Sequence, residues 1–513
     1  MTFPNNKPLA LIILDGWGHS PRTEGNAIAL AHTPNYDAIC NNYPATTLVA
    51  SGLRVGQAPD ASGNAEVGHL NIGAGRAAQS EGFRVENAIR SGEFAESYLL
   101  INSFKRALET KKPVHFIGLV SDGGVHSSTD SLFALLRLAK KAGLTDVFIH
   151  AILDGVDVPT RTADIYIEAL EIKLADIGIG KVATLCGRYF AMDSLRNWER
   201  TARAYTMLVH AEGERSADAI TAIRNSFLRG IADEFIAPVV IESETDVPVA
   251  TIRDGDTVIY FNHRPESMRQ LVRSISVPDA AGLAKPTLNS ICLTEYDRSF
   301  DLPVVFRSSA NENVLSEVLA DAGMSNIKIT QTERFPHLTY YFNGGDEIQQ
   351  PNEHHLLLAT PNAESAQNQP ESQSFKIADK FLRSLEPANS GVLIVNFPAA
   401  DLMAETGSLD KTIEAVQFLD TCLGGIVDKV RKAGGIALVT STHGNCEEMI
   451  NVLTGEPHCQ TTANRVPFHF ISDATNGMEL REDGSLADVA PTILGILEIA
   501  KPIEMTGSDL RIT

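Results

Sequence analysis

The segment LALIILDGWG, Leu9 to Gly18, decides how the fold is interpreted. Its six leading residues, Leu9 to Leu14, are all apolar, which is typical of a strand buried on both faces of a parallel sheet. Asp15 follows directly and is itself followed by glycine. Because open α/β sheets bind their ligands at the carboxyl ends of their strands, Asp15 is a candidate site residue.

The same arrangement recurs along the chain. Four more apolar segments are each followed within a few residues by an aspartate or a histidine, and segments with helical periodicity lie between them. Strands that alternate with helices predict an α/β fold with largely parallel sheets. Polar segments at 351–374 and 278–286 are predicted to be surface connections. The predicted strands are Val114–Val120, Val147–Leu153, Val392–Phe397 and Gly435–Thr442, and the clearest predicted helices are Ser131–Gly143 and Leu419–Gly435.

Composition excludes several classes of protein. The chain has 513 residues, 43% of them hydrophobic, and a formal net charge of −21, which indicates a globular protein of several domains. An acidic chain without a basic patch repels nucleic acid, so no nucleic-acid partner is expected. No signal peptide and no apolar run of membrane-spanning length are found, so no membrane association is expected. The six cysteines include no CxxC pair, which favours a reduced, cytoplasmic protein.

Three polar residues after predicted strands suggest metal chemistry. Asp15, Asp401 and His443 would converge at one sheet edge, where carboxylates and imidazoles suit divalent cations in phosphoryl transfer. The segment GNAEVGHLNIGAGR, Gly63–Arg76, adds a glycine-rich turn of the kind that offers backbone N–H groups to an anion. Taken alone, each of these features more often belongs to a turn or a helix cap than to a functional site.

Taken together, the motifs of the chain resemble those of the cofactor-independent (2,3-bisphosphoglycerate-independent) phosphoglycerate mutases. They follow the family's order from the N-terminus almost to the C-terminus. The matching segments are LDGWG (Leu14–Gly18), GNAEVGHLNIGAGR, GLVSDGGVHS (Gly118–Ser127), HAILDGVD (His150–Asp157), GRYFAMD (Gly187–Asp193), FNHRP (Phe261–Pro265), TYYFNGG (Thr339–Gly345), THGN (Thr442–Asn445) and TGEPHCQTTANRVPF (Thr454–Phe468).

The resemblance implies a protein of two α/β lobes. Residues 1–80 and 312–513 would form a metal-binding lobe related to alkaline phosphatase, and residues 81–311 would form an inserted phosphotransferase-like lobe. Members of the family interconvert 3- and 2-phosphoglycerate through a phosphoserine, with two manganese ions and a substrate held by arginines, a histidine and an aspartate. A monomer that takes a small phosphorylated acid or similar anion is therefore expected.

The family's nucleophilic serine is replaced here by Ala65. A methyl group cannot attack phosphorus or carry the phosphoryl group, so the covalent route is closed. Ser62 lies three residues earlier, where the family has no nucleophile, and a misplaced hydroxyl would be ineffective.

The family's metal ligands are also incomplete. Asp15, Asp401 and His443 match, whereas Glu405, Thr442 and Thr461 replace a histidine, an aspartate and a histidine respectively. Glutamate can bind a hard cation, but neutral threonines are poor substitutes. At most one weakly held Mn²⁺ or Mg²⁺, or no metal, is expected.

The substrate-holding positions are partly retained. Each lost arginine removes a charge-assisted contact typically worth about 1.5–3 kcal/mol. Two nearby arginines, Arg196 and Arg269, are candidates for partial compensation. Family residues are matched at His126, Asp157, Arg188 and Arg264, arginines are replaced at Val156, Ser194 and Ser267, and Arg334 replaces a lysine.

Three functions are consistent with this pattern. The favoured one is a catalytically silent family member that binds a metabolite or a protein partner. The second is a single-metal enzyme that hydrolyses a phosphate or sulfate ester with activated water. The third is an active phosphoglycerate mutase, an isomerase of glycolysis, in which other residues replace the missing ones.

Overall fold

The computed structural model describes residues 7–194, 196–278, 285–307, 311–346, 348–359, 370–385, 391–451, 454–474 and 478–512. The chain divides into two compact units. Unit 1 comprises Met1–Ser80 and Ser309–Thr513, and unit 2 comprises Glu81–Ser308. No helix in the described part of the chain is long and apolar enough to cross a membrane.

The elements alternate along the chain in both units. The strands are β1 (Leu9–Leu14), β2 (Ala45–Leu48), β3 (Val114–Leu119), β4 (Val147–Leu153), β5 (Lys181–Gly187), β6 (Glu214–Ser216), β7 (Val239–Glu244), β8 (Val247–Pro248), β9 (Thr257–Tyr260), β10 (Asn289–Thr294), β11 (Val304–Phe306), β12 (Ser325–Gln331), β13 (Glu353–Leu358), β14 (Gly391–Phe397), β15 (Ile436–Thr440), β16 (Val466–Ile471), β17 (Glu479–Leu480) and β18 (Arg511–Ile512). The α-helices are α1 (Ala27–Leu30), α2 (Pro34–Asn42), α3 (Ala65–Ala74), α4 (Glu81–Ser91), α5 (Tyr98–Thr110), α6 (Thr129–Ala142), α7 (Ala163–Ile177), α8 (Arg188–Ala191), α9 (Trp198–His210), α10 (Ala219–Leu228), α11 (Arg269–Ser276), α12 (Leu315–Asp321), α13 (Pro370–Ser384), α14 (Ala399–Ala404), α15 (Leu409–Lys432) and α16 (Val489–Ile496). Short 3₁₀ turns lie at Gly52–Val55, Glu93–Glu96, Asp233–Phe235, Arg298–Phe300, Thr332–Arg334 and Leu486–Asp488, and a π-helical turn lies at His337–Tyr341.

Unit 1 is built on a sheet with the strand order β13-β12-β14-β1-β15-β16-β2. β1 lies between β14 and β15 and is parallel to both, whereas β16 is antiparallel to both of its neighbours. Alternate residues of β1 enter two different hydrophobic clusters, one on each face of the sheet. The all-apolar sequence of β1 is therefore explained by burial on both faces, and Asp15 follows at the carboxyl edge.

Unit 2 is built on a sheet with the order β11-β10-β9-β3-β4-β5-β7-β6, and β8 pairs with β7. Its strands are parallel except where β7 pairs with β5 and with β8. Helix α6 illustrates the local signals: the Ser128 side chain caps it by accepting from the Asp130 amide, and Gly143, with φ 88°, ends it.

The predicted α/β class is confirmed, and most of the named elements lie where they were predicted. β1 and β4 have the predicted bounds, whereas β15 ends two residues early because the Ser441 hydroxyl already forms a turn by donating to the His443 carbonyl. α15 begins at Leu409, ten residues before the prediction, because its buried face continues through Thr412 and Ala415.

The surface connection predicted for 351–374 is wrong in part. Strand β13 pairs with β12 within this segment, and α13 begins at Pro370. The strand forms despite its polar start because Glu353 is buried in an ion pair with Lys328, 2.8 Å between Oε1 and Nζ. Residues 360–369, and residues 279–284 of the second polar segment, lie outside the described residues.

Candidate functional site

The glycine-rich motif forms the start of α3 in unit 1. The Asn64 side chain caps this helix, since its Oδ1 accepts from the amides of Glu66 and Val67 at 2.9 and 3.1 Å. Ala65 is the first helical residue and is only 8% exposed. A Cβ added to Gly63 would lie 2.7 Å from the Cβ of His443, so the motif packs directly against the end of β15.

Asp15 is buried at the end of β1, and both of its carboxylate oxygens accept hydrogen bonds. Oδ1 accepts from the Thr442 hydroxyl at 2.7 Å, and Oδ2 accepts from the Asn396 side-chain amide at 2.7 Å. Thr442 Oγ1 also lies 2.9 Å from His443 Nδ1. The threonine that replaces a family aspartate is therefore a hydrogen-bonding neighbour of Asp15.

Asp401 lies on α14 and is equally buried and fully engaged. Its Oδ1 is 3.1 Å from His443 Nε2 and accepts from the Asn445 amide at 3.0 Å. Burial raises the pKa of Asp401, but the charge and hydrogen bond of His443 and the charge of Arg334 outweigh it, so the pKa is lowered overall. Conversely, burial lowers the pKa of His443, but Asp401 outweighs it, so the pKa of His443 is raised overall.

Arg334 places a permanent positive charge among three carboxylates. Its Nη2 donates to Asp401 Oδ2 at 2.8 Å and to Glu405 Oε1 at 3.3 Å, and its Nε is 3.9 Å from Asp15 Oδ2. The side chain is only 13% exposed. Burial lowers the pKa of Arg334, but the three carboxylates raise it above its ordinary value. The resemblance implied that Arg334 holds substrate, whereas the structure directs its donors to Asp15, Asp401 and Glu405.

Sequence reasoning missed two further buried residues of this region. Glu447 accepts from the Thr462 hydroxyl and from the Asn464 amide, and its Oε2 has no hydrogen-bond partner among the described residues. His69, one turn along α3, has its Nδ1 2.7 Å from the Ala65 carbonyl, and its Nε2 is likewise unpartnered within the described chain. Both residues lie inside or beside motifs that were recognised, but the sequence does not show which polar residues of a motif are buried.

Unit 2 brings two of the predicted substrate-binding residues, His126 and Asp157, together around a third, Arg188. Arg188 Nη1 donates to Asp154 Oδ1 at 2.7 Å and lies 2.8 Å from Asp157 Oδ2, while Nη2 lies 2.7 Å from His126 Nε2. Burial and the charges of Arg188 and His263 hold the pKa of His126 well below its ordinary value, so His126 is a neutral acceptor. Asp154, which was recognised only as a residue after a strand, is part of this cluster.

The other predicted positions in unit 2 contribute less. The Arg264 amide donates to the His126 carbonyl at 3.4 Å, and its guanidinium pairs with Glu266. The Ser267 hydroxyl donates to the Arg264 carbonyl at 3.2 Å. Arg269 Nε donates to the Tyr296 carbonyl at 2.8 Å, so this donor is not available for the compensation considered above. Val156 and Ser194, in place of two family arginines, are exposed.

Comparisons with known proteins agree with the motifs. The family model for the N-terminus of BPG-independent PGAM (iPGM_N) matches residues 85–298. The chain is 44% identical over 514 residues to the 2,3-bisphosphoglycerate-independent phosphoglycerate mutase of Moorella thermoacetica, covering 99% of both chains. It is 41% identical over 509 residues to the Clostridium perfringens mutase of the same name, again covering 99% of both.

A solved structure shows the same fold. The chain matches Leishmania mexicana phosphoglycerate mutase, determined at low cobalt concentration, with a TM-score of 0.87, 27% identity and coverage of 99% of this chain and 98% of that chain. The chain belongs to the 2,3-bisphosphoglycerate-independent phosphoglycerate mutase family.

The donor set present here does not fit the family's two metal ions. The oxygens of Asp15 and Asp401 are already engaged, and the Arg334 guanidinium supplies the positive charge between them. Thr461 offers neither a carboxylate nor an imidazole. Across the described ranges, no group of three His, Cys, Asp or Glu side chains is placed to hold a metal ion.

Proposed function

We propose that this protein is a catalytically silent member of the mutase family, a monomeric cytoplasmic protein that binds a small anion with a phosphate or carboxylate group. The observation that carries the proposal is Ala65 at the first position of α3. Its methyl group can neither attack phosphorus nor hold a phosphoryl group, and the adjacent Asn64 side chain is occupied as the helix cap.

The charges around this position also oppose phosphate binding in unit 1. The carboxylates of Asp15, Asp401 and Glu405 outnumber the cations of Arg334 and His443. Each carboxylate near a bound phosphate repels it and raises the free energy of the complex, most strongly in a buried site. The unit 1 cluster therefore favours its internal ion pairs over an external anion.

Unit 2 provides the more suitable anion site. The Arg188 side chain is 14% exposed and retains donors beyond those used by Asp154 and His126. Burial raises the pKa of Asp157, with the charge of Arg188 opposing it, so the Asp157 carboxylate is the partner that an incoming anion would replace most readily. A guanidinium suits the two oxygens of a carboxylate or phosphate.

A coupled assay for the conversion of 3- to 2-phosphoglycerate, with excess Mn²⁺, tests the catalytic half of the proposal. The Moorella thermoacetica relative is the positive control. We expect turnover at least roughly 10⁴-fold lower than that of the control, as for loss of a nucleophile in other enzymes. Turnover within about a hundredfold of the control would overturn the proposal.

Isothermal titration with 3-phosphoglycerate, 2-phosphoglycerate and inorganic phosphate tests the binding half. We expect saturable heats with wild type that weaken about tenfold or more in R188Q. The matched control is R273Q, because Arg273 also pairs with an aspartate, Asp297, but lies half exposed on α11. Heats equal to buffer for all three anions would refute an anion site of this class.

An active phosphoglycerate mutase is the second candidate, favoured by the 41–44% identity over nearly the full length of its relatives. The coupled assay separates the two candidates directly. A single-metal ester hydrolase has less support, because the oxygens of Asp15 and Asp401 are already engaged. A phosphatase screen with Mg²⁺, Mn²⁺ or Zn²⁺ that detects hydrolysis would reinstate it.

A further inference from the structure

A chain of polar side chains crosses the unit 2 sheet inside its hydrophobic core. His115 on β3 has its Nε2 3.3 Å from Asp256 Oδ2, and its Nδ1 lies 2.9 Å from Nε2 of His150 on β4. His150 Nδ1 in turn lies 2.8 Å from Oγ1 of Thr184 on β5. All four residues are buried, with at most 2% exposure. Because buried polar groups are stable only when they are bonded to one another, this chain fixes the strands in one alignment.

The chain ends at an irregularity in the pairing of β4 with β5. Ile149 pairs with Val182, but the next residue of β4, His150, pairs with Thr184, so Ala183 is an extra residue on β5. Such a β-bulge interrupts the alternation of side chains between the two faces of a strand. It places Thr184 on the same face as His150, whereas in a regular strand Thr184 would point to the other face and His150 would lose this partner. The bulge and the hydrogen-bonded chain therefore require each other.

The hydrophobic clusters show the same interruption. Residues that share a face of a regular strand are an even number of positions apart. Val182 and Leu185 enter the same cluster although they are three positions apart, and Cys186 enters a different cluster. On β4 the alternation continues, with Ile149 and Ala151 both in the first cluster. The bulge therefore lies in β5, and it determines the face that each later residue of β5 presents.

The register beyond the bulge decides which residues meet at the carboxyl edge of the sheet. Leu153 at the end of β4 pairs with Gly187 at the end of β5, so Asp154 and Arg188 follow side by side. Their side chains are joined by a hydrogen bond of 2.7 Å from Arg188 Nη1 to Asp154 Oδ1. Without the extra residue, Leu153 would pair with Cys186, and Asp154 would lie beside Gly187, which has no side chain. The position of the Arg188 guanidinium therefore depends on the bulge.

We propose that Thr184 and His150 are positioning residues for the anion site of unit 2, because their hydrogen bond holds the β5 bulge and the bulge holds Arg188 beside Asp154. The inference rests on the function proposed above for Arg188, but the alignment of the two strands can be measured without an anion. The Thr184 hydroxyl suits this role, because it can donate to His150 Nδ1 or accept from it, and so bonds to either tautomer of His150. A valine side chain of nearly the same shape can do neither.

Isothermal titration with inorganic phosphate compares wild type with T184V, T184S and S226A. T184V removes the hydroxyl, and T184S keeps it. S226A is the matched control, because Ser226 is also buried in unit 2, but its hydroxyl donates to the Ala222 carbonyl within α10. The titrations are made where circular dichroism shows every variant to be folded, so that a loss of stability alone does not change the affinity.

We expect T184V to bind phosphate about tenfold or more weakly than wild type, because the guanidinium is displaced, and T184S and S226A to bind within about twofold of wild type. A T184V variant that binds phosphate as tightly as wild type would overturn the inference and leave the proposed anion site intact.

A double-mutant cycle tests the alignment without an anion. R188M removes the hydrogen bond to Asp154, so the Tm that it costs reports whether the two side chains are aligned. Every protein in the cycle carries W17F, so that the remaining tryptophan, Trp198, reports on unit 2. We expect the loss of Tm caused by R188M to fall by about half or more in the T184V background and to be unchanged in the S226A background.

Equal losses of Tm in all three backgrounds would refute the inference, even if wild type bound no phosphate. A lack of phosphate binding by wild type, with the loss of Tm reduced in T184V, would refute the proposed function and leave the positioning by Thr184 in place. If T184V does not fold, T184A, which also lacks the hydroxyl, replaces it in both experiments.

Discussion

The two units each contain an arginine surrounded by acidic side chains, but the two clusters use it differently. Arg334 in unit 1 holds Asp401 and Glu405, and His443 reinforces it as a second donor to Asp401. In unit 2 the neutral His126 instead lies against Arg188 as an acceptor. The comparison shows two roles for a histidine near an arginine–aspartate pair. It can donate to the aspartate and strengthen the pair, or it can accept from the arginine and compete with the aspartate.

Each unit contains one tryptophan, whose fluorescence reports on the unfolding of that unit. The two tryptophans are Trp17 in unit 1 and Trp198 in unit 2. Trp17 is buried immediately after Asp15, and Trp198 is 47% exposed at the start of α9. The W198F and W17F variants therefore allow unfolding to be followed in unit 1 and in unit 2 separately by fluorescence.

The largest effect concerns catalysis. Restoring the hydroxyl alone, in A65S, is expected to leave turnover at least roughly 10⁴-fold below that of the Moorella thermoacetica relative, because Thr442, Thr461 and Arg334 still occupy the surrounding positions. The coupled phosphoglycerate assay measures this. Recovery of turnover by A65S alone would show that the unit 1 cluster does not prevent catalysis.

The next effect compares the two arginines through stability. R334M is expected to lower the free energy of unfolding of unit 1 by about 3–5 kcal/mol, because it leaves buried carboxylates without a cation. R188M is expected to cost unit 2 about 2 kcal/mol, because Asp154 keeps its hydrogen bonds from the Ser121 hydroxyl and from backbone amides. Urea unfolding in the single-tryptophan backgrounds measures both losses. If R188M lowers the free energy of unfolding as much as R334M or more, the proposed difference between the two arginine clusters is wrong.

A third prediction concerns acid. Burial lowers the pKa of His263 in unit 2 from 6.5 to about 4, although the hydrogen bond that the Val125 carbonyl accepts from His263 Nε2 opposes this shift. The stability that neutral His263 confers is therefore complete above about pH 6.5 and is lost as the pH falls toward 4, by up to about 3 kcal/mol. His126 acts in the same direction, since its pKa is also lowered.

The acid effect is measured by urea unfolding of the W17F variant, in which Trp198 reports on unit 2. The H263Q variant, which does not titrate, serves as the control and is expected to show a shallower loss between about pH 7 and about pH 4.5. A wild-type profile as shallow as that of H263Q would contradict the assigned burial of a neutral His263.

The smallest effect lies within the unit 1 cluster. The Glu405 side chain is 52% exposed, whereas that of Asp401 is 1% exposed, although both contact Arg334 Nη2. E405Q is therefore expected to change the stability of unit 1 by less than about 1 kcal/mol, and D401N is expected to cost about 3 kcal/mol or more. Urea unfolding of E405Q and D401N, each in the W198F background, compares their free energies of unfolding. Equal losses would mean that Glu405 is as essential to the cluster as Asp401.

Much of the fold was predictable because the buried parallel strands are continuous apolar segments. The sequence LALIIL predicted β1 with its observed bounds and placed Asp15 at the functional edge of the sheet. The segment that contains β13 is a strand and not the predicted surface connection. Its first residue, Glu353, is stabilised by Lys328 on a neighbouring strand, and the local sequence does not reveal a partner so far away in the chain.

The sequence could name residues of the candidate site, but not the hydrogen bonds that join them. Motif matching named Asp15, Asp401, His443 and Arg334, and the structure places all four in one hydrogen-bonded cluster. The motifs do not indicate that the Arg334 side chain points toward the carboxylates. The direction of a long side chain depends on the charges around it in the folded protein. Asn396 and Asn445 complete the hydrogen bonding of the two aspartates. Asn396 carries no recognisable sequence signal, and Asn445 lies in the THGN motif, which does not show that its side chain contacts Asp401.

The position of β1 has a consequence for synthesis of the protein on the ribosome. Leu9 emerges early, but it pairs with Val392 and Ile436, which are translated more than three-quarters of the way along the chain. Unit 2 is continuous from Glu81 to Ser308 and can complete its sheet first, since nascent domains fold as units. Throughout that time the six apolar residues of β1 lack both neighbouring strands. The nascent chain therefore exposes an aggregation-prone apolar segment that a chaperone would protect until the last quarter of the chain is made.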